Sequence, residues 1–140
     1  MSRIDDLRAT HKELIDIVGE LSAMLFVNTV SEKSEEIRQL LSTLLGKLNF
    51  HLMMEDKHLY PDFFKHSDEK IRKVALDFSD EMGGIAPHIQ EFRDKWSCAN
   101  EIKNNPEEFI SETRGIFEAL AKRIDREDNE LYPLVEKTGL

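Results

Sequence analysis

The chain has 140 residues, 40% hydrophobic and 34% charged, which suits one core beneath a heavily solvated surface. Its 28 Asp and Glu outweigh 19 Lys and Arg for a net charge of −9, which argues against nucleic-acid and anionic-membrane partners and favours a cation. With 6 Gly and 4 Pro it is too poor in turn residues for an all-β fold, its single Cys98 cannot form an internal disulfide, and no run approaches the ~18 apolar residues of a membrane span.

The first predicted helix carries Ile4, Leu7, Leu14, Val18, Leu21 and Leu25 on one stripe, with His11 inside it. Its opening residues read as an amphipathic helix and not as a leader, and the lone thiol points to a reducing, cytoplasmic setting. The second helix, from about Ser34 to Phe64, aligns Ile37, Leu41, Leu44, Leu48, His51, Glu55 and Leu59. The third follows Ser67, taken as its cap, and uses Ile71, Val74, Phe78, Met82, Ile85, Ile89, Phe92 and Trp96. Gly83, Gly84 and Pro87 predict a kink or break within it. The fourth opens on Asn105-Pro106-Glu107-Glu108, which supplies an N-cap, a first-turn proline and a capping-box glutamate. It continues through Phe109, Thr113, Ile116, Leu120, Arg123, Glu127, Leu131 and Leu134. The connections near 28–33, 65–68 and 98–105 are short. The expected architecture is therefore all-α, an antiparallel up-down-up-down four-helix bundle forming a single domain over residues 1–140.

Helices two and four share a repeat. Glu55-Asp56-Lys57-His58-Leu59-Tyr60-Pro61 and Glu127-Asp128-Asn129-Glu130-Leu131-Tyr132-Pro133 both read Glu-Asp-x-x-Leu-Tyr-Pro. The same helices interrupt their apolar stripes with His51, Glu55, Arg123 and Glu127, and helix one does so with His11. Ionised groups in a core are costly unless paired or bound to a cation. Singly, each has an ordinary reading: a core histidine, an i, i+4 hydrogen-bonded pair, a buried ion pair. Counted from the helix ends, however, all five fall at one level of the bundle. Histidine and glutamate four apart on facing helices are a recurrent way to build a metal site in a helical bundle.

At these residues the chain resembles the hemerythrin-like family, the HHE cation-binding domains, over almost its whole length. The resemblance implies a non-haem di-iron centre bridged by two carboxylates, with a histidine from helix one, His-x-x-x-Glu from helix two, a histidine from helix three and His-x-x-x-Glu/Asp from helix four. It further implies binding of dioxygen or nitric oxide, or sensing of oxygen, iron or redox state, and His11, His51, Glu55 and Glu127 match ligand positions. Two positions depart from that pattern. Arg123 stands where the helix-four histidine belongs, and a guanidinium has no lone pair to give a metal. No histidine stands beside Met82 in helix three; the nearest is His88, which reaches the site only if the glycines and Pro87 distort the helix.

The expectation is therefore either one Fe(II), Zn or Mn ion on His11, His51, Glu55 and Glu127, or a metal-free bundle in which Arg123 replaces the metal charge by bridging Glu55 and Glu127. His58, three residues after Glu55, has the Glu-x-x-His spacing of ferritin-like sites and is a further candidate ligand. His66 reads as solvated, Tyr60 and Tyr132 as packing near the helix ends, and Met53, Met54 and Met82 as core or near-core. No acid/base pair beyond this cluster suggests an enzyme. The functional expectation is a cytoplasmic metal-binding protein that binds or senses dioxygen, nitric oxide or iron, or a degenerate module acting through a protein partner or self-association.

Overall fold

The computed structural model describes residues 3–82 and 84–138, apart from the side chains of Met82 and Thr138. All regular structure among them is helical. The chain runs α1 Arg3–Ser22, α2 Val27–Glu32, α3 Ser34–Met54, a π-helical turn Glu55–Leu59 and α4 Tyr60–Phe64. It continues as α5 Glu69–Met82, α6 Ile85–Lys95, α7 Ala99–Asn104, α8 Pro106–Arg126, a second π-helical turn Glu127–Leu131 and α9 Tyr132–Thr138. Helix α1 packs on α3 and α8, and α6 packs on the same two, so four long elements enclose the core of a helical bundle. None of the described helices is long and apolar enough to cross a membrane.

The apolar stripes bury as their spacing predicts. Leu14, Leu21, Ile37, Leu41, Leu44, Leu48, Phe92, Phe109 and Leu120 all sit in one cluster. The third helix breaks between Met82 and Ile85, as its glycines predict; Gly83 itself, and the core role expected of the Met82 side chain, lie outside the described residues. Four local expectations are corrected. The connections near 28–33 and 98–105 contain short helices, α2 and α7, which pack against each other across one end of the bundle through buried Val30 and Ile102. The cap of α5 is Asp68 rather than Ser67: its Oδ1 accepts from the backbone N–H of Lys70 at 2.8 Å and of Ile71 at 3.3 Å. Asn105 does precede Pro106 at the start of α8, but its side chain donates back to the Glu101 carbonyl at 3.0 Å instead of capping. Met53 and Met54 are exposed, not core.

The two π-helical turns coincide with the two copies of the repeat. In each, the tyrosine N–H bonds to the carbonyl five residues back, Tyr60 to Glu55 and Tyr132 to Glu127. The proline that follows supplies a reason. In a regular helix Pro61 and Pro133 would press their rings on the carbonyls of Lys57 and Asn129, and a widened turn relieves that clash. A residue added to one turn also rotates everything after it by about 100°. Two consecutive residues then face inward in each copy, Leu59 with Tyr60 and Leu131 with Tyr132, all at 4% exposure or less.

The apolar interior is divided. One cluster fills the space among α1, α3, α6 and α8. A second, smaller one gathers Ile4, Leu59, Phe63, Ile71, Phe78 and Val135 with their neighbours at the other end. Between Ile4 and Leu14 on α1, and between Leu52 and Leu59 along α3 and its π turn, the buried residues are polar.

Candidate metal centre

That polar layer consists of His11 from α1, His51 from the last turn of α3, Glu55 and Glu127 opening the two π turns, and Arg123 from the last turn of α8. Each reaches the seam because its helical spacing continues an apolar stripe. All five are between 0% and 4% exposed. The His11 and His51 rings meet edge to face with centroids 4.6 Å apart. His11, His51, Glu55 and Glu127 each offer one ligand atom, and these four atoms lie within 4.8 Å of one another. That is close to the span of ligands around a single ion, whose bonds are roughly 2.0–2.2 Å each.

The hydrogen-bonding of the two histidines is incomplete on the inner side. His11 Nδ1 lies 2.7 Å from Asp128 Oδ1. A carboxylate oxygen accepts, so His11 donates from Nδ1 and turns the lone pair of Nε2 inward. That lone pair faces Glu127 Oε1 at 3.3 Å, and neither atom has a hydrogen-bond partner. His51 Nε2 faces Glu55 Oε1 at 3.0 Å and is likewise unpartnered. Two acceptors facing each other in a dry core need a proton or a cation between them. The donor set of two imidazoles and two carboxylates fits a divalent first-row ion, so the residues present fit one metal.

Electrostatics agree with a site short of positive charge. Burial, then repulsion by the Glu55 carboxylate, pushes Glu127 up to about 7. Burial and the neighbouring His11 push His51 down to about 4, so it is neutral near pH 7. Burial works against a charge on His11 too, but Glu127 and Asp128 outweigh it and hold the ring above its ordinary value, so without an ion it is Nε2 that takes up the missing proton.

Arg123 fills the other side of the layer. Its Nη2 lies 3.4 Å from Glu55 Oε1 and donates at 2.9 Å to Asp56 Oδ1, while its Nε lies 3.5 Å from Glu127 Oε2. Burial opposes its charge, but Glu127 and Glu55 keep it firmly protonated. It therefore contacts both buried carboxylates.

The structure gathers His11, His51, Glu55, Arg123 and Glu127, and leaves two other candidates elsewhere. His88 is exposed and lines a groove between α6 and α8, because the break after Met82 does not turn it back into the core. His58 is exposed on the outer side of the first π turn. His66 is half-buried in the turn before α5 and accepts the Asp68 N–H through Nδ1 at 3.0 Å. Four further residues belong to the layer although sequence spacing assigned them elsewhere or passed over them. Tyr60 donates to Glu127 Oε2 at 2.6 Å and Tyr132 to Glu55 Oε2 at 2.7 Å. Asp56 and Asp128 sit at its rim. The one sequence signal for the tyrosines was the proline after each, which marks the widened turn.

A model of the hemerythrin HHE cation binding domain matches residues 2–135 of the chain. The chain has no significant match among curated proteins or among solved structures.

Proposed function

The chain belongs to the hemerythrin HHE cation-binding domain family, and from that premise we propose that it holds one non-haem iron ion between His11, His51, Glu55 and Glu127. The observation that carries this reading is the pair of imidazole Nε2 atoms, buried, unpartnered and aimed at carboxylate oxygens. Bound there, iron would supply reversible binding of, or redox response to, a small ligand such as dioxygen or nitric oxide. The protein's own residues hold the ion, exclude water and keep a proton between His11 and Glu127 until metal displaces it. A cavity of about 10 Å³ lined by Asp56, Tyr60, Phe78, Ser79 and Arg123 adjoins the layer, roughly the room of one water. The same reading puts the protein in the cytoplasm, where its exposed thiol, Cys98, stays reduced, with any signal passed on through a partner protein or a second copy.

A second reading has its own support. Arg123 already contacts Glu55, Asp56 and Glu127, so the layer has a built-in cation and could persist as a metal-free interaction module. One experiment separates the two. The chain is loaded anaerobically with ferrous iron, metal per chain is measured, and the near-ultraviolet spectrum is recorded after air is admitted. About one iron per chain without the charge-transfer bands of an oxo-bridged pair supports the first reading. Absence of iron, with a melting temperature indifferent to chelator, supports the second and rejects the first.

A further inference from the structure

Each buried glutamate presents its two oxygens to different neighbours. Glu127 Oε1 faces His11 Nε2, whereas Oε2 accepts the Tyr60 hydroxyl at 2.6 Å and has Arg123 Nε at 3.5 Å. Glu55 Oε1 faces His51 Nε2 and Arg123 Nη2, whereas Oε2 accepts the Tyr132 hydroxyl at 2.7 Å. The bonds cross the repeat, so the tyrosine after one π turn holds the glutamate that opens the other. Both phenols are buried, and each hydroxyl has a carboxylate oxygen as its acceptor. An oxygen that accepts so short a bond commits one of its two lone pairs and is held in one orientation. Rotating the carboxylate to place both oxygens on an ion would strand a buried hydroxyl.

We infer that Tyr60 and Tyr132 are positioning residues that hold the far oxygens of Glu127 and Glu55, so that each carboxylate offers one oxygen to a single ion shared with His11 and His51. This rests on the reading that the cluster binds metal. A carboxylate that bridges two ions uses both of its oxygens, and here the second is already held by a tyrosine hydroxyl in both residues. The tyrosines thus favour a single ion on four donor atoms, alongside Arg123, which meets the same two carboxylates. Tyr132 also stacks on the His11 ring, 5.7 Å between centroids and 8° between planes, which ties this clamp to a ligand imidazole.

Cobalt(II) tests this, since its visible absorption is intense in four-coordinate sites and weak in six-coordinate ones. The full chain is stripped with chelator and titrated with cobalt alone, beside Tyr60→Phe, Tyr132→Phe and the double variant. The wild type is expected to bind one cobalt with an intense spectrum. Each variant is expected to lose intensity as the freed carboxylate turns both oxygens to the ion, with a dissociation constant raised about 10-fold to 100-fold. X-ray absorption of the wild-type cobalt protein gives the metal-to-carboxylate-carbon distance, long for one-oxygen binding and short for two. That measurement needs no variant and stands even if a variant does not fold. Cobalt bound with unchanged spectra and affinity in both phenylalanine variants, or two-oxygen carboxylates in the wild type, overturns the inference and leaves the metal reading intact. No cobalt bound by the wild type removes the metal reading and this inference with it.

Discussion

The two copies of the repeat end in the same π-helical turn and arrive at opposite chemistry. After Glu127, Asp128 accepts from His11 Nδ1 at 2.7 Å and so aims an imidazole lone pair into the core. After Glu55, the equivalent Asp56 accepts from Arg123 Nη2 at 2.9 Å and fixes a permanent positive charge in the core. The backbone device is shared, and the basic side chain opposite it differs. A rim aspartate orients whichever base faces it; an oriented imidazole leaves a ligand atom, and an oriented guanidinium leaves none. One scaffold thereby carries a place for an ion beside a cation of its own.

Removing the cation should have the largest effect. Arg123→Met leaves Glu55 and Glu127 without a buried counter-charge, and chelated protein should lose about 3–5 kcal/mol in a denaturant titration. Added metal should recover more stability in this variant than in the wild type, because it replaces a charge that Arg123 otherwise supplies. Arg123→His makes the two copies more alike. Its metal content, measured by elemental analysis, should exceed the wild-type value; unchanged content would mean that the arginine is not what limits the first copy. The rim aspartates sharpen the contrast further. Asp128→Asn frees the His11 ring and should weaken metal binding about 10-fold to 100-fold. Asp56→Asn touches only the arginine side, at a half-open position, and should weaken it less than about threefold, the scale of a surface ion pair. The remaining lever is pH. Glu127, raised to about 7, holds a proton below that value which metal must displace, whereas His51, lowered to about 4, is neutral near pH 7. Affinity should therefore fall as pH drops through about 7, by up to about tenfold per unit, as read by calorimetric titration on either side of neutrality.

The long helices and the ligand layer were legible in the sequence because both follow helical spacing. His51 and Glu55 continue the stripe of Leu41, Leu44 and Leu48, and Arg123 and Glu127 continue that of Phe109, Thr113 and Leu120. What was not legible breaks that spacing. On a regular helix Leu59 falls on the face of Glu55 and Tyr60 does not, so Tyr60 and Tyr132 looked like residues of the helix ends; only the widened turn brings them to the carboxylates. Asp56 and Asp128 look like surface acids, since nothing in a linear reading reveals which base stands opposite. Helices α2 and α7 each have one fully buried residue, Val30 and Ile102, too little for any period to appear. His88 was tied to the site only through a distortion of the third helix, and the break there leaves it outside.

The polar layer also bears on how the molecule comes apart. An uninterrupted apolar core tends to unfold as one cooperative unit, whereas this one is two cores joined across a sheet of charges. The smaller core, built on Phe63, Ile71, Phe78 and Val135, is therefore expected to open before the larger one around Leu44 and Leu120. The cation in the layer, metal or guanidinium, then acts as a rivet whose strength sets how often that end opens. Hydrogen exchange in α4, α5 and α9 would register each opening, and the same openings would give an ion passage to a layer that is otherwise shut.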